Sequence, residues 1–223
     1  MPDEDAPPTR TVKPSRWAGI PADERTRDRR VLLIAAAFDL FGTEGDAATS
    51  VRAVCRSADL NARYFYESFV DRDELLGAVY DEVAVELADR LGTALLAAPD
   101  SPAARTRAGI DTVLRFITDD PRRARVLFTE GRGNPVLADR RRVARQALVE
   151  GTAAMGQEEL GRRSAAASAS AAAVAATLFG GAMEELAEAW TDGRLGDDLD
   201  QVIDDATELS LAIFERARTL GHH

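Results

Sequence analysis

Few residues in this 223-residue chain could do covalent or acid–base chemistry. The only histidines are His222 and His223, and the only cysteine is Cys55. A serine or cysteine nucleophile needs an adjacent base to activate it, so no Ser-His or Cys-His system can be assembled. Histidine-containing metal sites are excluded for the same reason, and no Gly-rich phosphate loop follows a strand. Carboxylates acting alone are the one remaining route to catalysis. The chain therefore reads as a non-enzyme with no catalytic residue, no metal and no cofactor. What remains is non-covalent: a cluster of hydrogen-bonding side chains between residues 49 and 76, TSVRAVCRSADLNARYFYESFVDRDELL. Within it Asn61, Ala62, Arg63 and Tyr64 follow one another, with Phe65 and Phe69 spaced i, i+4. A guanidinium such as that of Arg63 can pair bidentately with guanine O6 and N7. Tyr64 can reach a thymine methyl or donate a hydrogen bond, and Asn61 and Ala62 sit where a helix start approaches a groove floor.

Those side chains need a frame, and the same stretch supplies one. Thr49 or Ser50 can cap a short helix whose apolar face is Val51, Val54, Cys55 and Ala58. Asp59 falls at a turn that calls for positive φ, Leu60 plugs the corner, and Asn61 caps the next helix. Phe65 and Phe69 face inward, leaving the other face of residues 61–68 for contacts. Asp71-Arg72-Asp73-Glu74 resembles a capping box and starts a third helix. Two short helices, a tight turn and a buried aromatic pair describe a helix-turn-helix, whose second helix enters the DNA major groove.

The run Ala58-Asp59-Leu60-Asn61-Ala62-Arg63-Tyr64-Phe65-Tyr66-Glu67-Ser68-Phe69, followed by Asp71 to Leu76, resembles the DNA-binding signature of the TetR family of bacterial transcriptional repressors. Phe65, Tyr66, Phe69, Asp71 and Leu75 match it. Residues 36–45, AAFDLFGTEG, resemble the family's helix ahead of the motif. The chain departs from the signature at Asp59, Arg63, Tyr64 and Ser68, where the family usually has Gly, Gly, Thr, and Tyr or His. Three of those positions touch bases or phosphates, so the target sequence is this chain's own. The resemblance implies that Tyr66 binds phosphate through its hydroxyl, with Thr49, Ser50, Arg52 and Arg72 as further phosphate contacts that set register. It also implies a homodimer, whose two recognition helices, one DNA turn apart, would match the half-sites of a palindromic operator. Glu67 would repel a phosphate, so it points along the groove or pairs with an arginine.

No window approaches a membrane span, the N-terminus lacks the features of a signal peptide, and Cys55 reads as a small core residue. The expected location is cytoplasmic. The net charge of −10 seems wrong for a DNA binder, but residues 10–30 hold seven basic against three acidic residues, and residues 77–223 hold 17 against 24. A basic arm on an acidic body can still meet a duplex if the body faces away. We expect an all-α fold of about nine helices: a flexible basic arm over 1–22, a helix-turn-helix DNA-binding domain over 23–70, and a helical ligand-binding and dimerisation domain over 71–223. Helix one is expected from Asp23 to Phe41 with Val31, Ile34, Ala35, Phe38 and Phe41 inward. Helix four, from Asp71 to about Leu95, is long enough to join both domains.

The later helices carry two further expectations. Helix nine has Leu199, Val202, Ile203, Ala206, Leu209, Ile213, Ala217 and Leu220 along one stripe. Helix eight has two apolar faces, Val174, Leu178 and Ala182 against Phe179, Met183, Leu186 and Trp190. A helix apolar on two sides is buried on two sides, so helices eight and nine are expected to pair with those of a second copy in a four-helix bundle. Tyr80, Phe116, Phe128, Met155, Phe179 and Met183 are candidates to line a pocket for an unknown, mainly apolar small-molecule effector. Arg140, Arg141, Arg142 and Arg145 read either as a solvated helix face or as an attraction for an anionic ligand. The main expectation is a repressor released by that effector. The alternative is a helix-turn-helix regulator without a small-molecule ligand, acting through a protein partner or as an activator.

Overall fold

A computed structural model of the chain describes residues 22–129, 134–160 and 165–220; the N-terminal arm and the side chain of Met155 lie outside its described parts. The described residues are all-helical, with nine α-helices and no strand. The first four are α1 (Ala22–Glu44), α2 (Val51–Ser57), α3 (Ala62–Ser68) and α4 (Arg72–Ala97). After them come α5 (Pro102–Asp119), α6 (Pro121–Ala124), α7 (Pro135–Leu160), α8 (Ala165–Thr191) and α9 (Leu199–Leu220).

The helix starts follow local capping chemistry. Side-chain oxygens of Ser50, Asn61, Asp71 and Ser101 accept from the backbone N–H groups of Ala53, Tyr64, Glu74 and Ala104. Glu74 reaches back to accept from Val70 N at 2.6 Å, one residue before the N-cap, which fastens the chain entering α4. Asp59 has φ 53°, the left-handed conformation that the α2–α3 turn requires. The π-helical turn Arg125–Thr129 extends α6 and buries Val126 and Leu127.

Helix α1 lies across α2, α3, α4 and α6, but not on the expected stripe. Leu33, Ala36, Ala37 and Phe41 are buried, Ile34 and Phe38 flank them, and Val31 and Ala35 are exposed. From Val31 to Phe38 the helix is apolar all round, so periodicity could not select the face that its neighbours cover. The helix also runs on to Glu44. Gly42 lies inside it because a Cβ there would meet Arg122 Cβ of α6 at 2.5 Å. Leu75, Leu76, Val79, Tyr80 and Val83 of α4 are buried and join the core around Phe41, Val54, Phe65 and Phe69 to that around Ile110, Leu114, Phe116 and Ile203. One helix thus carries both halves of a continuous core.

Helix α8 has the two faces expected of it. Met183 is buried with Phe179, Leu186 and Trp190 packed against the core, while Val174, Leu178 and Ala182 are exposed. Helix α9 keeps its stripe but is covered along only part of it. Leu199, Val202, Ile203 and Ala206 face the core, whereas Leu209 and Ile213 are 69% and 40% exposed. At about 100° per residue both stay on or within about 20° of the 199–206 stripe, so their exposure comes from what packs against that end of the helix and not from the period. Among the described residues, no helix is long and apolar enough to cross a membrane.

Candidate nucleic-acid interface and ligand cavity

The short α3 is held from beneath by Phe65, fully buried, and by Phe69 at its end, 5.7 Å away between ring centroids. With that side taken, Asn61, Ala62, Arg63 and Tyr66 are exposed, and Tyr64 is half-buried. Ser50 and Arg52, at the start of α2, are exposed as well. Arg63 is largely exposed, its side chain 83% accessible, and its Nε donates to Glu67 Oε1 at 3.0 Å.

Two of the expected phosphate contacts are used otherwise. Thr49 is fully buried and its hydroxyl donates to the Gly45 carbonyl at 2.8 Å, so it braces the turn before α2 and presents nothing to a phosphate. Its neighbour Ser50 is the residue that caps the helix. Arg72 donates from Nε to the Thr49 carbonyl at 2.8 Å and pairs with Asp46, which ties the start of α4 to the 3-10 turn Asp46–Ala48. Its side chain is about one-third exposed. Cys55 is buried in the same unit, and burial pushes its thiol up from the ordinary range, in keeping with a core residue.

Sequence reasoning missed the brace behind α3. Arg29 and Arg30 were counted with the basic arm, yet both turn inward from α1. Arg29 is only 7% exposed; its guanidinium donates to Glu67 Oε2 at 3.1 Å and to Thr26 Oγ1 at 3.0 Å and lies 4.4 Å over the Tyr64 ring. Its Nε is buried without a hydrogen-bond partner. Arg30 donates to the Ser68 carbonyl at 2.6 Å and lies 4.1 Å over the Phe69 ring. Glu67 therefore pairs with two arginines, one buried and one exposed, and its carboxylate links the body of the unit to Arg63. The readable signal was position: Arg29 and Arg30 precede Leu33 by one helical turn, on the covered side of α1.

The second site is a cavity of about 860 Å³ among α4, α5, α7, α8 and α9. Tyr80, Phe128, Phe179 and Met183 line it as expected, with Leu87, Leu91 and Val113. Phe116 does not. It is 1% exposed and packed under the guanidinium groups of Arg90 and Arg123, at 5.0 and 4.3 Å from its ring centre. It shares the face of Val113 but lies one turn beyond it, and Val113 is the last α5 residue on the cavity wall.

Polar residues also reach this wall. Arg141 and Arg145 line the cavity and both donate to Glu184 of α8, Arg141 at 3.3 Å and Arg145 through two nitrogens, one at 2.9 Å. Arg140 turns the other way, to Asp81 and against Gly77. Arg142 stays on the solvated face. The arginine run is thus split between solvent and cavity, and Glu184 was not foreseen. Burial pushes the Tyr80 hydroxyl up to about 12, so it is a protonated donor at neutral pH.

A three-helix unit with a braced, outward-facing second helix, carried on a helical body with a cavity, defines a helix-turn-helix architecture. Residues 33–79 match the model described as bacterial regulatory proteins, tetR family. Over these residues the chain is similar to the tetR family. An uncharacterized HTH-type transcriptional regulator from Haemophilus influenzae is 30% identical over 116 residues. That match covers 52% of this chain and 56% of the relative, so the chain spans little more than half of that protein's length. A transcriptional regulator from Rhodococcus superposes with TM-score 0.68 at 20% identity, over 84% of this chain and 96% of its own. The multidrug binding protein EbrR, solved with imidazole, superposes with TM-score 0.60 at 18% identity, over 83% and 94%. At such identities the structural likeness speaks for the fold.

Proposed function

We propose that the chain is a DNA-binding transcriptional regulator that acts as a dimeric repressor on a palindromic operator and is released by a small, mainly apolar ligand. The observation that carries this reading is the braced α3. Its buried aromatic pair and Arg29 fix its orientation, and its free face presents Asn61, Ala62, Arg63 and Tyr66. In this reading Arg63 and Tyr64 read bases. Ser50, Arg52 and Tyr66 hold phosphates.

The uncovered apolar residues Val174, Leu178, Leu209 and Ile213 support pairing through α8 and α9. Such a dimer would set two recognition helices about 34–36 Å apart, one turn of DNA. The domain division at residues 70–71 belongs to the same reading, with α4 as the shared element. A ligand that fits the cavity better when α4 is displaced shifts the population away from the DNA-binding state by its differential affinity. The cavity itself, and the likeness to a protein named for multidrug binding, favour a ligand-released regulator over one without a ligand.

The test is fluorescence anisotropy on DNA from upstream of the chain's own gene, at two salt concentrations, beside Arg63→Ala. Tight, salt-sensitive binding that Arg63→Ala weakens, with relaxed sequence preference, is expected. Binding no tighter than to random DNA, with no effect of Arg63→Ala, refutes the assignment.

A further inference from the structure

Most of the cavity wall is apolar, but one sector is charged, and its charges do not cancel. Arg141 and Arg145 of α7 share the single carboxylate of Glu184. The side chains of Arg141 and Glu184 are only 12% and 20% exposed, while that of Arg145 is 47% exposed, so the sector is partly withdrawn from water. The other charged lining residues are Arg105, which is held by Asp100 at the edge, and Glu215 of α9. With Arg105 paired to Asp100, the positive surplus is local to the α7–α8 sector, where two guanidinium groups stand on the single Glu184 carboxylate. A neutral apolar occupant would strip water from that surplus without replacing it, which costs free energy. An occupant with one anionic group would supply the missing partner. Arginine suits this role because its planar fork binds a carboxylate through two parallel hydrogen bonds.

We propose that the effector is an amphipathic monoanion. Its carboxylate head is taken by Arg141 and Arg145 beside Tyr80, and its apolar body lies along Leu87, Leu91, Val113, Phe128, Phe179 and Met183. The proposal rests on the ligand-released reading above and narrows the ligand's class. Glu184 is the occupant's internal rival: it holds the two guanidinium groups while the cavity is empty and is displaced from at least one of them on binding. This gives the glutamate an unusual sign, since a residue that merely supported the cavity would weaken binding when altered. Removing its charge leaves both arginines for the ligand and strengthens anion binding.

The test uses the full chain and two probes that share a tail, octanoate and 1-octanol, titrated by calorimetry at one pH and salt concentration. Octanoate is expected to bind at least about tenfold tighter than octanol, the scale of one charge-assisted bidentate pair. The double variant Arg141→Gln, Arg145→Gln should lose that preference. Octanol binding should change by less than about twofold in it, which also shows that the cavity still forms. Glu184→Gln should bind octanoate more tightly and octanol as before. Equal affinity for the two probes would overturn the head-group assignment and leave the apolar-effector reading standing. A lower octanoate affinity in Glu184→Gln would overturn the rivalry that defines the site. Failure of both probes to bind would remove both the proposal and the apolar-effector reading, whereas DNA recognition stands or falls on the anisotropy experiment.

Discussion

Glu67 sits on the helix assigned to DNA contact, yet the structure makes it a stability element whose worth depends on Arg29. The Arg29 side chain is 8% exposed and that of Glu67 is 35% exposed. A hydrogen bond to a charged group contributes about 1.5–3 kcal/mol, and the partial exposure of Glu67 moves the expectation to the lower half of that range. Glu67→Ala strands a buried guanidinium and should cost about 2 kcal/mol. Arg29→Met replaces the charge with an apolar chain of similar length and leaves Glu67 its second partner, Arg63, so the cost should be about 1 kcal/mol or less. Once Arg29 is gone, removing Glu67 breaks only the exposed i, i+4 pair with Arg63, which contributes about 0.3–0.5 kcal/mol. The two substitutions should therefore be non-additive by about 1.5 kcal/mol. Urea unfolding of the four proteins, followed by circular dichroism, measures this coupling directly. A coupling under about 0.5 kcal/mol would refute the idea that Glu67 neutralises Arg29. The same Glu67→Ala variant removes a carboxylate from α3, so its binding to random DNA at low salt should increase even as its stability falls.

Other perturbations separate parts of the fold. Gly42→Ala should destabilise by about 1–2 kcal/mol, because a new Cβ 2.5 Å from Arg122 Cβ overpacks the α1–α6 contact by more than helix propensity returns. Gly109→Ala in α5 meets nothing within 4 Å and should stabilise by about 1 kcal/mol; thermal unfolding of the pair checks both signs. Leu178→Asp, at a residue 57% exposed, should leave the helical signal unchanged and lower the mass measured by light scattering to that of one chain; an unchanged mass would place the dimer contact elsewhere. Asp120 caps α6 and accepts from Arg122 Nε at 2.9 Å; hydrogen bonds from Arg122 hold its carboxyl below the ordinary 3.8. A depressed folded value adds stability that is present above 3.8 and is lost as pH falls through the folded value. The stability advantage over Asp120→Asn should therefore shrink below about pH 4, as read from unfolding midpoints along a pH series.

Much of the DNA-facing unit was legible in the sequence because its determinants are local. A cap oxygen reaches a backbone N–H three residues on, a positive φ belongs to one residue, and Phe65 and Phe69 meet across one helical turn. Ser50, Asp59, Asn61 and Asp71 accordingly do what their spacing announced. The two faces of α8 were legible for the same reason, since alternation around a helix is written in consecutive residues.

Tertiary structure decided what local spacing leaves open. On α1 the apolar run circles the helix, and only its neighbours select Leu33, Ala36 and Ala37 over Val31 and Ala35. Whether a polar side chain is offered or spent depends on partners far along the chain. Thr49 is spent on Gly45, Arg72 on Asp46, and Arg29 on Glu67, 38 residues away. The arginine run at 140–145 is uniform as a sequence and divided in space, because Asp81 draws Arg140 to α4 and Glu184 draws Arg141 and Arg145 to the cavity. The sequence by itself determined which segments are helices and which residues can cap or fill them, since those energies act over a few ångströms of contiguous backbone. Which faces meet, and so which charges are neutralised and which are left for a ligand or a phosphate, was decided only when distant helices came together.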